Sequence, residues 1–327
     1  MAAAVSRWVL GVDSGGSGLR VALADAVRGR PMSSGPVLAT PPVGTGPGGI
    51  DAEELAHRVV TAARTLLTGA GACGEPVPAV CVGAAGMASL GEDLRSRLPG
   101  VLRAELGTDR LALAADAVTA YAGALGVRPG AVAAMGTGMV ALATDLSGWR
   151  RADGWGHLLG DCGGGAWIGR AALEAALRAH DGRESGSAAL LASAEERFGP
   201  VAGLPGRLYP RADRAAVLAS FAPEVAACAA RDPVAADILR AAAGHVADAL
   251  AAVCPADDRP AVALTGGLVR LGEPLLGPLR REVADRLPRA RLTEPAGDPL
   301  AGALLVAARL AGDGVALPAD PALLRTV

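Results

Sequence analysis

Two short glycine turns in the sequence could bind phosphate oxygens through their backbone N–H groups. The turn Ser14–Ser17 follows one apolar run, and the turn Gly136–Gly138 follows another. Glycine reaches positive φ without a steric penalty and lets the backbone approach a ligand closely, so such turns can form a nest of N–H donors. A β-hairpin also requires glycine, but two such turns in corresponding places are more informative than one. The candidate ATP-binding residues in them are Ser14, Gly15, Gly16, Ser17, Gly136, Thr137 and Gly138.

Three aspartates stand where carboxylates could serve phosphoryl transfer. Asp13 ends the first apolar run, Asp116 ends a later one, and Asp161 lies in a glycine-rich segment. Carboxylates at strand ends line the ligand crevice of α/β sheets. Because Mg²⁺ takes few protein carboxylates and keeps several waters, Asp13 and Asp161 are candidate metal-binding residues. A third carboxylate beside the acceptor hydroxyl could act as general base. We also expect Asp116 to be a helix N-cap.

The most informative segment is GWGHLLGDCGGGAWIG, at Gly154–Gly169. It holds seven glycines, two of the four tryptophans, a histidine and an aspartate within 16 residues. A glycine-rich turn that runs into an apolar helix at Ala166 favours backbone contact with a ligand. His157 could donate a hydrogen bond to a substrate hydroxyl, or it could be a structural histidine.

Composition excludes several mechanisms. The chain of 327 residues contains no lysine, asparagine or glutamine, and its net charge is −2. A P-loop and a Schiff-base enzyme both need lysine, and a protein kinase needs lysine and asparagine. The near-neutral charge argues against nucleic-acid binding. Aromatic residues make up only 2%, so we expect an aliphatic core.

Cysteine spacing and the N-terminal sequence indicate a reduced, cytoplasmic protein. The five cysteines form no CxxC pair, and the four histidines show no metal-ligand spacing. The N-terminus lacks the features of a signal peptide. No uncharged apolar stretch reaches the roughly 18 residues of a membrane span, so we expect no membrane partner.

The elements that must position these residues follow from apolar patterning. Each glycine turn lies between two apolar runs, which predicts two hairpins. Residues Arg28–Gly49 are rich in proline and glycine and predict an irregular loop. Asp51 is a predicted N-cap of a helix that runs to about Leu67. Further strands are predicted at Trp8–Val12, Leu19–Ala24, Val77–Val82, Leu111–Ala115, Ala131–Met135, Met139–Thr144, Val262–Thr265 and Arg291–Glu294, with helices at Glu92–Leu98, after Asp116, over much of Ala166–Val253 and at Pro299–Arg309.

An internal repeat relates the two hairpins. Gly16–Leu19 aligns with Gly136–Met139, and both lead into apolar runs that end in aspartate. The repeat predicts two related α/β domains. We expect a first domain over residues 1–117, a second over 118–298, and a helix at about 299–311 that packs back on the first.

These motifs together resemble the N-acetylglucosamine kinase and BadF/BadG/BcrA/BcrD ATPase-like family. The resemblance covers nearly the whole chain. It rests on motifs in the family's order: GVDSGGSGLR, DAVTAYAG, MGTGM, GWGHLLGDCGGGAWIG, LTGGLV and GDPLAGALLVA. It implies the acetate kinase, hexokinase, Hsp70 and actin superfold: two ribonuclease H-like α/β domains that flank a nucleotide cleft.

The resemblance implies an ATP- and Mg²⁺-dependent kinase that phosphorylates the 6-hydroxyl of an amino sugar, N-acetylglucosamine or glucosamine. Asp116 would be the catalytic base. Asp13 would organise magnesium, and Asp161 would lie close to the metal. Gly266 and Gly267 would face the adenosine. The residues implied at the sugar, with His157 added from its position, are Asp116, Thr137, Gly154, Trp155, Gly156, His157 and Asp161.

Two departures from the family pattern concern the acceptor sugar. The family's sugar-binding loop usually carries an asparagine, whereas Ala39–Gly46 reads ATPPVGTG. Where relatives tend to have GDEGS this chain reads GDCGG, so Cys162 and Gly164 replace a carboxylate and a hydroxyl.

Two other functions remain open on this superfold: an ATP-driven activator of a radical dehydratase, and a non-catalytic sugar sensor. The activators hold an iron–sulfur cluster on cysteines, and the five cysteines here lack cluster spacing. The expected partners are ATP and a small amino sugar, without nucleic acid or membrane, and a homodimer is compatible with the resemblance.

Overall fold

The computed structural model describes residues 8–27, 30–46, 48–312 and 314–327. The chain divides into two compact units. The first comprises Met1–Pro129, Thr144–Trp149 and Glu294–Val327, and the second comprises Gly130–Ala143 and Arg150–Thr293.

Strands and helices are numbered here in chain order. The strands are β1 (Trp8–Gly15), β2 (Gly18–Val27), β3 (Arg30–Thr40), β4 (Thr45–Gly46), β5 (Gly49–Ile50), β6 (Ala79–Ala84), β7 (Arg110–Ala115), β8 (Gly130–Met135), β9 (Met139–Thr144), β10 (Trp149–Asp153), β11 (Ala261–Thr265), β12 (Arg291–Thr293) and β13 (Leu324–Thr326). The helices are α1 (Ala52–Gly69), α2 (Met87–Leu90), α3 (Glu92–Leu106), α4 (Asp116–Leu125), α5 (Gly165–His180), α6 (Ala188–Phe198), α7 (Leu204–Leu208), α8 (Arg214–Ala219), α9 (Ala222–Cys228), α10 (Pro233–Val253), α11 (Glu273–Arg286) and α12 (Pro299–Ala311). Two 3₁₀ segments lie at Val201–Gly203 and Gly267–Leu271.

The sheet of the first unit runs in the order β13-β7-β6-β1-β2-β3 among the described residues. The strands β1, β6 and β7 are parallel, and β2, β3 and β13 join antiparallel. Helix α12 contacts β1, β2, β6 and β7, and α4 packs on α12. Helix cover explains why these strands read as continuous apolar runs rather than alternating patterns.

The first predicted hairpin is confirmed. Gly15 pairs with Gly18, and Gly16 and Ser17 form the turn between β1 and β2. The predicted N-cap is confirmed as well, because the Asp51 carboxylate accepts the N–H groups of Glu53 and Glu54, each at 3.0 Å.

The irregular loop predicted over Arg28–Gly49 is wrong for most of its length. Residues Arg30–Thr40 form β3, which pairs with β2 at the edge of the sheet. The register shifts between Ala22 and Ala24, and Pro36 lies in that irregularity. Proline is tolerated at edge strands and bulges because it has no N–H to donate. Residues 28, 29 and 47 lie outside the described residues.

The sheet of the second unit runs in the order β10-β9-β8-β11-β12 along the described chain. The neighbours β8, β11 and β12 are parallel, so their carboxyl ends share one edge. The helices of this unit pack largely through small side chains, for example Ala172 and Ala176 of α5 and Ala242 and Ala243 of α10, all fully buried. β8 and β9 are neighbours joined by Gly136–Gly138, which confirms the predicted second hairpin. The buried alanines confirm the predicted aliphatic core.

Candidate active site

The first glycine turn presents an open outer face. Gly16 and Ser17 are exposed, and no heavy atom of the described residues lies within 4 Å of a Cβ built on Gly15. Ser14 is buried, and its carbonyl accepts the N–H of Ala85 at 2.8 Å. The base of the turn is thus fixed to the sheet while its tip is accessible.

Asp13 is held by an arginine on the opposite strand. Its Oδ2 accepts hydrogen bonds from Arg20 Nε at 3.0 Å and Nη2 at 2.6 Å. Arg20 Nη1 also donates to Asp298 Oδ2 at 2.5 Å, and Asp298 Oδ1 caps α12 by accepting the Ala301 N–H at 2.9 Å. Burial raises the pKa of Asp13, and the bonds from Arg20 oppose that rise only in part.

Sequence reasoning missed Arg20 and Asp298 as site residues. A signal for Arg20 existed, because the hairpin register places it directly opposite Asp13. Opposed residues on antiparallel strands have Cβ atoms within about 5.5 Å, which is the distance at which opposite charges pair. Asp298 is brought in by the docking of α12, a contact that no local pattern reports.

Asp116 is the first residue of α4, and Ala115 occupies the cap position. The N-cap expected at Asp116 is therefore wrong by one residue, because Asp116 already has helical geometry. Its Oδ1 accepts the neighbouring Ala117 N–H at 2.9 Å, and its carbonyl accepts the Thr119 hydroxyl at 2.9 Å. The side chain is half-buried at the carboxyl end of β7.

Asp13 and Asp116 lie at the same edge of the first sheet. Asp13 pairs with Gly83 on β6, and Gly83 pairs with Ala114 on β7. Two strand spacings separate β1 from β7, which is about 10 Å. Asp13 lies beside the first glycine turn, and Asp116 lies two strands away. This arrangement suits a phosphate site next to an acceptor site.

The second glycine turn is packed against the start of α5. Gly165 donates its N–H to the Gly136 carbonyl at 2.9 Å, and Ala166 donates to Thr137 at 2.8 Å. These N–H groups therefore serve the turn, and the backbone contact with a ligand expected at this helix N-terminus is not supported for them. A Cβ on Gly164 would lie 2.6 Å from the Gly138 carbonyl carbon, so residue 164 has no room for the family's hydroxyl side chain.

Asp161 lies against this turn. It has φ +54, and its Oδ1 accepts the Gly156 N–H at 3.0 Å. A Cβ on Gly138 would lie 2.3 Å from Asp161 Oδ2, so the carboxylate occupies the space beside that glycine. Burial raises the pKa of Asp161, and the negative charge of Asp153 adds to the rise.

Asp153 is a third residue that sequence reasoning missed. Its two oxygens accept the N–H groups of Asp161, at 2.6 Å, and Cys162, at 2.9 Å. The Asp-Gly dipeptide at 153–154 signals a turn, but its partners eight and nine residues away are not readable from it. The Cys162 thiol is half-buried, and burial raises its pKa.

The segment between these aspartates exposes apolar side chains. Trp155 is 66% exposed, with the Arg151 guanidinium 4.5 Å from its ring centroid, and Leu158 and Leu159 are also exposed. His157 Nε2 is buried and has no hydrogen-bond partner among the described residues. Burial lowers the pKa of His157, with smaller contributions from Arg214 and Arg170. Its two predicted roles both stay predictions.

The glycines of LTGGLV lie beside the second turn. β11 pairs in parallel with β8, so Gly266 and Gly136 follow neighbouring strand ends. Gly266 has φ +100, and a Cβ there would lie 2.3 Å from the Met135 carbonyl oxygen. Gly267 is exposed. Gly266 is exposed as well, but its positive φ and the close Met135 carbonyl require glycine at that position.

The loop that departs from the family pattern is tied to α1. Arg58 Nη1 donates to the Pro41 carbonyl at 2.9 Å, and Glu54 Oε2 accepts the Gly44 N–H at 2.9 Å. Arg58 and Glu54 also pair with each other at 2.5 Å. The backbone at Pro41 and Gly44 is thus held by the Arg58–Glu54 ion pair of α1.

A magnesium ion would find single carboxylates here rather than a protein cage. No cluster of three or more acidic, histidine or cysteine side chains suited to a metal occurs in the described ranges. Mg²⁺ in kinase sites is held by one or two carboxylates, waters and substrate phosphates. Asp13 in the first unit, whose Oδ2 accepts from Arg20, and Asp161 in the second unit, whose Oδ1 accepts the Gly156 N–H, are each a single carboxylate of that kind.

No helix in the described part of the chain combines the length and apolar character needed to cross a bilayer.

Comparison with known proteins gives a family match and several similar folds. A sequence profile of the BadF/BadG/BcrA/BcrD ATPase family matches residues 10–307. An N-acetylmuramic acid/N-acetylglucosamine kinase of Clostridium acetobutylicum is 31% identical over 183 residues, 54% of this chain. That match spans only 56% of the relative's own length.

Solved structures extend the likeness to nearly the whole chain. A proposed N-acetylglucosamine kinase of Chromobacterium violaceum is 28% identical, with a TM-score of 0.69 over 91% of this chain and 98% of its own. A ROK-family glucokinase of Streptomyces griseus, solved with glucose and AMPPNP, is 22% identical, with a TM-score of 0.55 over 92% of this chain and 98% of its own. The predicted α/β fold of the actin, Hsp70 and hexokinase type is confirmed.

Proposed function

The chain belongs to the BadF/BadG/BcrA/BcrD ATPase family, and on that premise we propose that it transfers the γ-phosphoryl group of ATP to the 6-hydroxyl of an amino sugar. The proposed acceptor is N-acetylglucosamine or glucosamine. The likeness to the Clostridium and Chromobacterium proteins supports this substrate class.

The observation that carries the proposal is the position of Asp116. It lies at the carboxyl end of β7, on the same sheet edge as Asp13 and the first glycine turn. A general base must come within hydrogen-bond reach of the hydroxyl it deprotonates, and strand ends at such an edge are where substrates bind.

In the proposed reaction Asp116 accepts the proton of the sugar hydroxyl. The hydroxyl oxygen forms a bond to the γ-phosphorus, and the bond from that phosphorus to the bridging oxygen breaks to release ADP. Because this transition state is stabilised mainly by positioning and charge, the chain's task is to orient both substrates and exclude water.

We assign the remaining roles within the same proposal. The two glycine turns donate backbone N–H groups to the phosphates, and Gly266 and Gly267 lie at the adenosine. Thr137, Gly154, Trp155, Gly156, His157 and Asp161 contact the sugar. Asp13 and Asp161 are the metal-binding carboxylates, and a bound Mg²⁺ supplies charge neutralisation on the phosphates.

The test is a panel of amino sugars and plain hexoses with coupled detection of ADP. We expect ADP release that depends on an amino sugar, with the phosphate located at O6 by NMR. Asp116→Asn should lower its rate by about 10²–10⁴, while Asp109→Asn, exposed at the amino end of the same strand, should leave it unchanged. ATP hydrolysis without any phosphorylated sugar would overturn the proposal and favour the dehydratase-activator function. Absence of both activities, with sugar binding retained, would favour the sensor.

A further inference from the structure

Asp153 closes the segment Gly154–Gly160 into a loop by a contact between its carboxylate and the backbone at the loop's far end. Its Oδ1 accepts the Asp161 N–H at 2.6 Å, and its Oδ2 accepts the Cys162 N–H at 2.9 Å. The residue is the last of β10, so the closure starts from a sheet.

The loop has few other anchors. Three of its side chains are mostly exposed: Trp155 at 66%, Leu158 at 77% and Leu159 at 87%. Within the loop, Gly156 accepts the N–H of Gly160 at 2.8 Å. Since these side chains are mostly exposed, and His157 and the Arg151–Trp155 contact supply the limited packing, hydrogen bonds contribute most to the conformation of this loop.

The closure fixes a second aspartate in turn. With its N–H held by Asp153, Asp161 adopts φ +54 and its carboxylate accepts the Gly156 N–H at 3.0 Å. The other carboxylate oxygen lies beside Gly138 of the second glycine turn. One side chain therefore determines where the Asp161 carboxylate and the backbone next to Trp155 are placed.

We propose that Asp153 is a positioning residue that clasps the loop Gly154–Gly160 and so orients Asp161 and Trp155 toward the acceptor. The role in acceptor binding rests on the proposed kinase function, whereas the clasp itself does not. Two N–H donors converge on the side chain, so two acceptor oxygens are needed. A carboxylate supplies both, while an amide supplies one acceptor and turns an NH₂ group toward the other donor.

The backbone at Asp153 allows the carboxylate to be separated from local strain. Asp153 has φ +61, a region that glycine adopts freely and alanine does not. Asp153→Gly removes the carboxylate without strain, Asp153→Ala removes it with strain, and Asp153→Asn keeps one acceptor. An effect common to Gly and Ala belongs to the lost carboxylate, and a difference between them belongs to the backbone.

Limited proteolysis with chymotrypsin tests the clasp without any assay of activity. The enzyme cuts after Trp155, Leu158 and Leu159, and cleavage requires the loop to open. We expect Asp153→Gly and Asp153→Ala to be cut at these sites about tenfold faster than the parent, with Asp153→Asn between them. The matched control is Asp145→Ala. It removes a turn carboxylate that accepts the Ser147 N–H near the other end of β10, and it should leave cleavage unchanged.

Steady-state kinetics test the positioning. We expect KM for the acceptor sugar to rise about tenfold in both Gly and Ala variants, KM for ATP to rise clearly less, and Asn to rescue partially. Unchanged loop cleavage, or equal rises in both KM values, would overturn the proposal. If the parent protein phosphorylates no sugar, the proposed function fails, and the cleavage rates still decide whether the clasp exists.

Discussion

Asp13 and Arg20 form a two-nitrogen ion pair across the first hairpin, with Arg20 Nε and Nη2 at 3.0 and 2.6 Å from the same Oδ2 oxygen. The Asp13 side chain is only 15% exposed, so loss of its partner leaves a poorly hydrated charge. We expect Arg20→Met to lower the free energy of unfolding by about 1–3 kcal/mol in urea denaturation at neutral pH.

The control for that prediction is Asp298→Asn. Asn remains a good N-cap for α12, and the pair that is lost is half-exposed, so the cost should stay below about 1 kcal/mol. Equal losses in the free energy of unfolding for the two variants would contradict the view that Arg20 stabilises Asp13 more than Asp298.

A second prediction concerns the proposed base. Asp116→Asn keeps the oxygen that accepts the Ala117 N–H, so α4 should still begin at the same residue. We expect kcat to fall by about 10²–10⁴, the usual value of general-base assistance. The ATP dissociation constant, measured by calorimetry, should stay close to that of the parent. A parent-like kcat would remove Asp116 from the mechanism.

A third prediction follows from the raised pKa of Asp161. Because burial raises the pKa in the folded state, the folded protein holds this proton more tightly than the unfolded chain does. The group therefore favours folding at low pH, and that contribution is lost as pH rises from about 4, the value in unfolded chains, through the raised value.

Asp161→Asn removes this titration and keeps the oxygen that bonds to Gly156. Relative to the parent, the variant should gain stability as pH rises through that window and then keep a constant difference. Urea denaturation of both proteins from roughly pH 3.5 to 7 measures this. If the variant instead loses stability relative to the parent as pH rises, the pKa shift of Asp161 has the opposite sign.

The fourth prediction compares the stability cost of alanine at three glycines. Gly136 and Gly138 belong to the second turn, and Gly164 packs against it. Gly164→Ala meets backbone atoms of Gly138 at 2.6 Å and should destabilise by about 1–3 kcal/mol. Gly138→Ala meets the Asp161 carboxylate, a side chain that can shift at the cost of its hydrogen bond to Gly156, so the loss of stability should be smaller than for a backbone clash. Gly136→Ala has open space and should be near neutral. Melting temperatures in any other order would contradict the packing described here.

Much of the fold was readable because local pattern and burial agree. The apolar runs that lead to Asp13 and Asp116 predict strands, and glycine turns between apolar runs predict the hairpins. β3 was missed because its prolines suggest a loop, whereas an edge strand with a bulge accepts them. β13 was missed because three residues, Leu324–Thr326, become a strand only by pairing with β7, far away in sequence.

The candidate site was predictable in its acids but not in their partners. Asp13, Asp116 and Asp161 are marked by their positions at strand ends or among glycines. The contacts of Asp153 with Asp161 and of Asp298 with Arg20 depend on how a loop closes and where α12 docks. Side-chain contacts between distant segments leave no periodicity or local composition to read.

The first unit is assembled from segments that lie far apart in the chain, and this has a consequence for biosynthesis. Its sheet strands β1, β2, β6 and β7 leave the ribosome early, but α12, which covers them, belongs to Glu294–Val327. Until Pro299–Ala311 has been translated, the nascent sheet keeps an apolar surface in water. The second unit, formed almost entirely by the intervening residues, can complete its core first. Folding on the ribosome should then run against chain order, with the core of the first unit completed only after Pro299–Ala311 has left the ribosome.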